Sequence, residues 1–135
     1  MFDQQVPAEI KLLGAAVVVG LVQLLWAAGA ARAQQDLKWA AGPRDTPMPI
    51  SGVAARLDRA FRNFMETFPF FAAAVLAAAL TAKTGTPLTL WGSALYVAMR
   101  AVYVPIYAAG WRPIRSIVWF IAPFGLIMVL VALFR

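Results

Sequence analysis

The sequence predicts an all-α integral membrane protein whose four transmembrane helices pack as one bundle, a single domain over residues 1–135. Three observations lead there. Hydrophobic residues make up 62% of the 135-residue chain and charged residues 13%, about half the charged share of an ordinary soluble domain (about 25%). The apolar residues come in blocks long enough to span lipid: about 20 helical residues, each rising about 1.5 Å, cross a hydrocarbon core of about 30 Å. The blocks also lack the apolar–polar alternation of membrane barrel strands, which leaves helices.

The first apolar block covers residues 12–31 and is interrupted by Gln23. Its helix is expected over 8–35, starting after Pro7. The run Ala31-Arg32-Ala33 resembles a signal-cleavage site, but Asp3 and Glu9 ahead of a long apolar run favour a retained span. A connection over 36–50 follows, where Gly42, Pro43, Pro47 and Pro49 are expected to break regular structure. The second helix is expected over 51–83 with Ser51 as its hydroxyl cap. Its first half is polar, its second half (68–82) is apolar, and Pro69 should bend it. Thr84 to Pro87 reads as a tight turn. The third helix, 88–109, carries Arg100 and Pro105, and Gly110-Trp111-Arg112 turns the chain. The fourth helix, 113–134, opens on Pro113, a residue suited to a first helical turn. Trp39, Trp91, Trp111 and Trp119 lie near expected helix ends and read as an aromatic belt at the lipid headgroups.

The net charge of +6 is distributed unevenly. Arg32, Lys38, Arg44, Arg56, Arg59, Arg62, Arg112 and Arg115 fall in or beside the first and third connections, whereas Lys11, Lys83 and Arg135 serve the other side. The positive-inside bias therefore places those two connections in the cytoplasm and both termini outside it. Positive charge segregated in this way does not call for a nucleic-acid partner. With no cysteine and no histidine, disulfides, thiolate metal sites and a protein thiol nucleophile are excluded, and no metal is expected.

Three polar stripes carry the chemistry. Arg56, Arg59, Asn63 and Glu66 are spaced three, four and three, so they share one face of the second helix. Asp58 and Glu66 each stand four residues from Arg62, which makes ion pairing along that helix available; a solvated helix end or an internal salt-bridge network would use the same residues. Ser93, Tyr96, Arg100, Tyr103 and Tyr107 form a continuous stripe on the third helix. Arg100 lies nine residues (about 14 Å) from the nearer expected end, so it needs a carboxylate, a carbonyl or water. The third stripe is Arg115 with Ser116, at the start of the fourth helix, where free N–H groups and a guanidinium favour an anion or thiolate. Basic residues anchoring a helix end would look the same. Taken together the stripes describe a donor-rich, positively charged pocket with one carboxylate and no nucleophile. It suits a ligand with two carboxylates and one ammonium group, the pattern of glutathione.

The run Arg-x-x-Arg-Ala-x-x-Asn-x-x-Glu-x-x-Pro at 56–69 resembles the signature of the MAPEG family, the membrane-associated proteins of eicosanoid and glutathione metabolism. Arg100, Tyr107 and the run Arg-Pro-Ile-Arg-Ser at 112–116 look like the corresponding region of the family's prostaglandin E synthase branch. The resemblance covers nearly the whole chain. It implies a homotrimer of four-helix subunits, in a bacterial inner membrane, with glutathione as co-substrate held between neighbours near the cytoplasmic side. It further implies that Arg62, Asn63 and Glu66 hold the glutathione backbone and charged ends and that Tyr103 and Tyr107 line the pocket. Arg59 would brace the interior network, Arg100 would belong with the glutathione-binding residues, and Arg115 and Ser116 would stabilise the thiolate. The implied chemistry is conjugation of glutathione to an apolar electrophile arriving from membrane lipid, or reduction of a lipid hydroperoxide. Three positions depart from the pattern: Ala55 replaces a frequent glutamate, Phe61 a histidine or glutamine, and Gln34 an arginine at the end of the first helix. These departures motivate an alternative, a non-catalytic scaffold or accessory subunit of a larger membrane complex. Four helices without an internal repeat argue against a transporter.

Overall fold

The computed structural model describes residues 5–135. Within them the chain forms α1 (Ala8–Gln34), α2 (Leu37–Ala41), α3 (Gly52–Leu80), α4 (Pro87–Ala109) and α5 (Arg112–Ala132). α1, α3 and α5 are each long and apolar enough to cross a membrane. The expected fourth span, α4, is long enough but is not among them. The reason is its stripe of Ser93, Tyr96, Arg100, Tyr103 and Tyr107, all of which are buried against the other helices. Outward-facing Leu25, Phe70, Leu80, Trp91 and Phe120 are exposed, an apolar surface far too extensive for water and suited to lipid.

α1 begins where the Pro7 carbonyl accepts the amides of Ile10 and Lys11. Its buried positions, Ala16, Gly20, Gln23 and Ala27, are spaced four, three and four and face α3 and α4. The helices approach closely at Gly20, where a Cβ would stand 2.9 Å from the Phe64 ring. The connection after α1 is more regular than its glycine and prolines suggested. Asp36 accepts a hydrogen bond from the Lys38 amide at 3.0 Å and nucleates the short helix α2, which ends at Gly42.

The N-terminus of α3 corrects another expectation. Ser51 occupies the cap position, but its hydroxyl makes no capping bond. The carboxamide of Gln34 instead grips the Ser51 backbone, accepting its N–H at 2.9 Å and donating to its carbonyl at 3.0 Å. α3 stops at Leu80, three residues short of the expected end. The Lys83 amide folds back on the Ala78 carbonyl at 2.8 Å, and Ala82 takes the left-handed conformation (φ 56°) usually given to glycine.

α4 starts one residue earlier than expected, with Pro87 in its first turn and a reciprocal capping box between Thr86 and Thr89. The buried carboxylate of Glu9 reinforces this turn: one oxygen accepts the Gly85 amide and the Thr89 hydroxyl, both at 2.7 Å. Gly110 closes α4 in the left-handed region (φ 79°), and α5 begins at Arg112, one residue before Pro113. α4 and α5 touch backbone to backbone. A Cβ on Gly92 would lie 2.7 Å from the Gly125 carbonyl oxygen, and one on Gly125 would lie 2.7 Å from the Tyr96 nitrogen. Away from the basic connections the core contains Phe71 stacked on Tyr96 at 4.1 Å, with Ala16, Val75, Ala122 and Val129 around them.

Candidate functional site

The polar stripes of α3, α4 and α5 meet toward the basic end. Arg100 is 2% exposed. Its Nη1 donates to the Asn63 side-chain oxygen at 2.8 Å, and its guanidinium lies 4.8 Å from the Tyr103 ring centroid and 5.5 Å from that of Phe64. Its Nε and Nη2 find no protein acceptor. A buried guanidinium with one hydrogen bond and two aromatic faces is poorly compensated. Glu66 acts on it only through space; among the described residues the one ion pair is Arg62–Asp58.

Tyr107 is held between two cations. The Arg59 Nε donates to its hydroxyl at 3.1 Å, and the Arg115 guanidinium lies 4.8 Å from the ring centroid. Tyr103 meets Tyr107 edge to face at 5.3 Å. Asn63, Tyr103, Tyr107, Arg115 and Ser116 then line one cleft of about 240 Å³, closed on its apolar side by Trp119 and Phe120. Arg56 is used differently, its Nε donating to the Ala108 carbonyl at the C-terminal end of α4 at 2.9 Å, a favourable place for a cation.

Most of the expected site residues thus come together in a single chain, either on the cleft wall or one contact behind it. Arg62 does not. One residue on from Phe61 and one before Asn63, it points about 100° away from Asn63 around the helix. There it pairs with Asp58 at 2.9 Å and stays 74% exposed. Glu66 is exposed on α3 and has no ion-pair partner. The expectation for the start of α5 also needs correcting. The Arg115 amide already donates to the Trp111 carbonyl at 3.0 Å. The free N–H groups therefore lie a turn earlier, and only the side chains of Arg115 and Ser116 can serve the cleft.

Sequence reasoning missed Trp119 and Phe120 as cleft walls; they follow Ser116 by three and four residues, the spacing that places them on its face. It placed Trp39 in the lipid belt, whereas its indole N–H donates to the Thr46 carbonyl inside the first connection. It also gave no role to Thr67, whose hydroxyl lies 2.8 Å from that of Tyr96.

Chemically, the cleft offers a guanidinium, hydroxyls and a carboxamide as donors, with no carboxylate on its wall and an aromatic flank. It can hold and stabilise an anion beside an apolar group. No curated protein and no solved structure matches the chain. The model of the MAPEG family matches residues 12–135. Over that length, and with three helices long and apolar enough to cross a membrane, the chain belongs to the MAPEG family.

Proposed function

We propose that the protein is a membrane-bound, glutathione-dependent transferase or peroxidase, working as a homotrimer of four-span subunits. One observation carries the reading. Asn63, Tyr103, Tyr107, Arg115 and Ser116, from three helices, converge on a cleft whose cations have no carboxylate beside them. Arg115 and the Ser116 hydroxyl would donate to the glutathione sulfur, keeping it ionised at neutral pH. Asn63 and Tyr103 would hold the peptide. The unpaired Glu66 carboxylate is available to its ammonium group, and Arg59 and Arg100 would hold the tyrosines and Asn63 in place. In conjugation the thiolate sulfur bonds to an electrophilic carbon and the leaving group departs with its electron pair. In reduction the sulfur takes the distal oxygen of a lipid hydroperoxide as the O–O bond breaks. A second glutathione then displaces hydroxide, giving the alcohol, water and a disulfide. Trp119 and Phe120 would face the apolar substrate arriving from lipid.

α4 is the proposed fourth span, since its polar stripe is turned inward and its lipid-facing side carries Trp91 and Val102. The segregated basic residues support a bacterial inner-membrane location with both termini outside the cytoplasm. The test is direct. Glutathione added to detergent-solubilised protein should produce a thiolate absorbance, and Arg115→Ala should lower the conjugation rate about 10²-fold with the helical content unchanged. Absence of a thiolate signal in the parent overturns the catalytic reading.

A second reading, a non-catalytic subunit of a larger membrane complex, is favoured by Gln34. Both ends of its carboxamide are bonded to Ser51, so it cannot take the ligand-binding part that an arginine plays there in relatives. Stoichiometric co-purification with another complex in mild detergent would select that reading.

A further inference from the structure

The helices that line the cleft each carry a proline in mid-course: Pro69 in α3, Pro105 in α4 and Pro123 in α5. None of these prolines ends its helix. Each lacks the N–H that would bond the carbonyl four residues earlier, so the carbonyls of Met65, Ala101 and Trp119 lose their helical donor. Away from water, such an acceptor calls for another partner.

Where each carbonyl opens follows from the helical repeat of about 100° per residue. On α3, Met65 and Pro69 stand about 160° and about 120° around the axis from the cleft residue Asn63. On α4, Ala101 and Pro105 stand about 120° or more from both Tyr103 and Tyr107. Those two carbonyls face away from the cleft. The third does not. Trp119 is itself on the cleft wall, and Pro123 lies two turns beyond Ser116 and about 20° from it around the axis. The Trp119 carbonyl, directed along α5 toward Pro123, therefore opens on the cleft side. No side chain of α5 takes it up. A hydroxyl bonds back to the carbonyl three or four residues before it, and the residues so placed, Ala122 and Pro123, have none. The one hydroxyl on α5, that of Ser116, precedes Trp119.

We infer that the Trp119 carbonyl accepts a hydrogen bond from the apolar substrate, which selects an organic hydroperoxide, ROOH, over an electrophile that carries no donor. The inference rests on the glutathione reading of the cleft and narrows it. Ser116 and Trp119 are three residues apart, about 4.5 Å of rise. A sulfur held at Ser116 meets the terminal peroxide oxygen at about 3–3.5 Å. The O–H of that same oxygen donates to the carbonyl at about 2.7–2.8 Å, so two contacts bridge one turn of α5. The sulfur then bonds to the terminal oxygen, which keeps its hydrogen, and the O–O bond breaks. Its electron pair leaves on the inner oxygen, which takes up the proton released when the thiol ionised. The products are the alcohol and the sulfenic acid of glutathione, from which a second glutathione displaces hydroxide. An electrophile without an O–H or N–H gains nothing from this acceptor and leaves it unpaired.

Pro123→Ala tests it, because an alanine N–H closes on the Trp119 carbonyl and removes the acceptor while every cleft side chain stays. In full-length protein in nanodiscs, kcat/KM for glutathione-dependent reduction of cumene hydroperoxide should fall about 10-fold. The thiolate absorbance of bound glutathione should keep its parent amplitude. Pro69→Ala, which restores the helical bond of α3 on the side away from the cleft, should leave hydroperoxide reduction at the parent rate. A second arm uses the parent alone and so stands even where Pro123→Ala does not fold: cumyl alcohol should inhibit about 10-fold more tightly than cumyl methyl ether, which has lost the donor. Unchanged hydroperoxide kinetics in Pro123→Ala, an equal fall in Pro69→Ala, or equal inhibition by alcohol and ether overturns the inference and leaves the glutathione reading standing. So does a parent that conjugates aryl halides but does not reduce the hydroperoxide. A parent without a thiolate signal overturns both.

Discussion

Glu9 and Arg100 are both buried charges, 1% and 2% exposed, and the two regions around them serve them very differently. Around Glu9 one oxygen ties the start of α1 to the α3–α4 turn through two 2.7 Å hydrogen bonds, and only the other oxygen is left without a donor. Beside that tie stand the Thr86–Thr89 capping box and, on the same α4, the Gly92–Gly125 contact. Around Arg100 a single hydrogen bond to Asn63 leaves two guanidinium nitrogens without acceptors. Nearby cations rest on tyrosine rings rather than on carboxylates. One region uses its polar groups to fix the helices to one another. The other holds donors for a partner that the chain does not supply.

Substitutions can break this comparison or sharpen it. The largest effect is expected from Gly125→Ala, whose methyl would meet the Gly92 carbonyl and the Tyr96 backbone. Overpacking of this kind costs about 1–3 kcal/mol and more where backbone must move, read as a lower unfolding midpoint in detergent or loss of folded protein. Next, Glu9→Ala leaves the Gly85 amide and Thr89 hydroxyl buried without their acceptor, a loss of about 1–3 kcal/mol. Glu9→Gln, which keeps an oxygen in place, should retain most of the parent's stability in the same assay. At the other region the sign should change. Arg100→Met removes an incompletely paired buried cation, so the unfolding midpoint should hold or rise, while calorimetric affinity for glutathione falls. A destabilised Arg100→Met would mean that the arginine serves the fold, and the contrast with Glu9 would fail. The smallest effect belongs to Ala82→Gly, which relieves the left-handed C-terminus of α3 and should raise stability by about 0.5–1 kcal/mol.

The sequence was most readable where period and position dictate the outcome. Ser93, Tyr96, Arg100, Tyr103 and Tyr107 repeat at three and four, and all are buried on one side of α4. The same stripe explains why α4 is not among the helices apolar enough to cross a membrane: composition counts its polar groups whichever way they face. The motif on α3 located Asn63 and Arg59 beside Tyr103 and Tyr107 but grouped Arg62 with them, because residues adjacent in sequence diverge by about 100° on a helix. Pairings across the chain were not readable. Nothing local announces that Gln34 meets Ser51, that Glu9 meets Thr89, or that Gly92 and Gly125 allow two backbones to touch. Those contacts exist only once α1, α3, α4 and α5 have been brought side by side.

The grip of Gln34 on Ser51 has a consequence for how this protein tolerates change. It staples the two feet of the first connection together, so α1 and α3 do not rely on the intervening residues for their relative register. The span between them is therefore where an epitope, a protease nick or an evolutionary insertion can enter with little penalty to the fold, because loop-closure entropy grows only slowly with length. Replacing the staple would turn that permissive arch into a hinge.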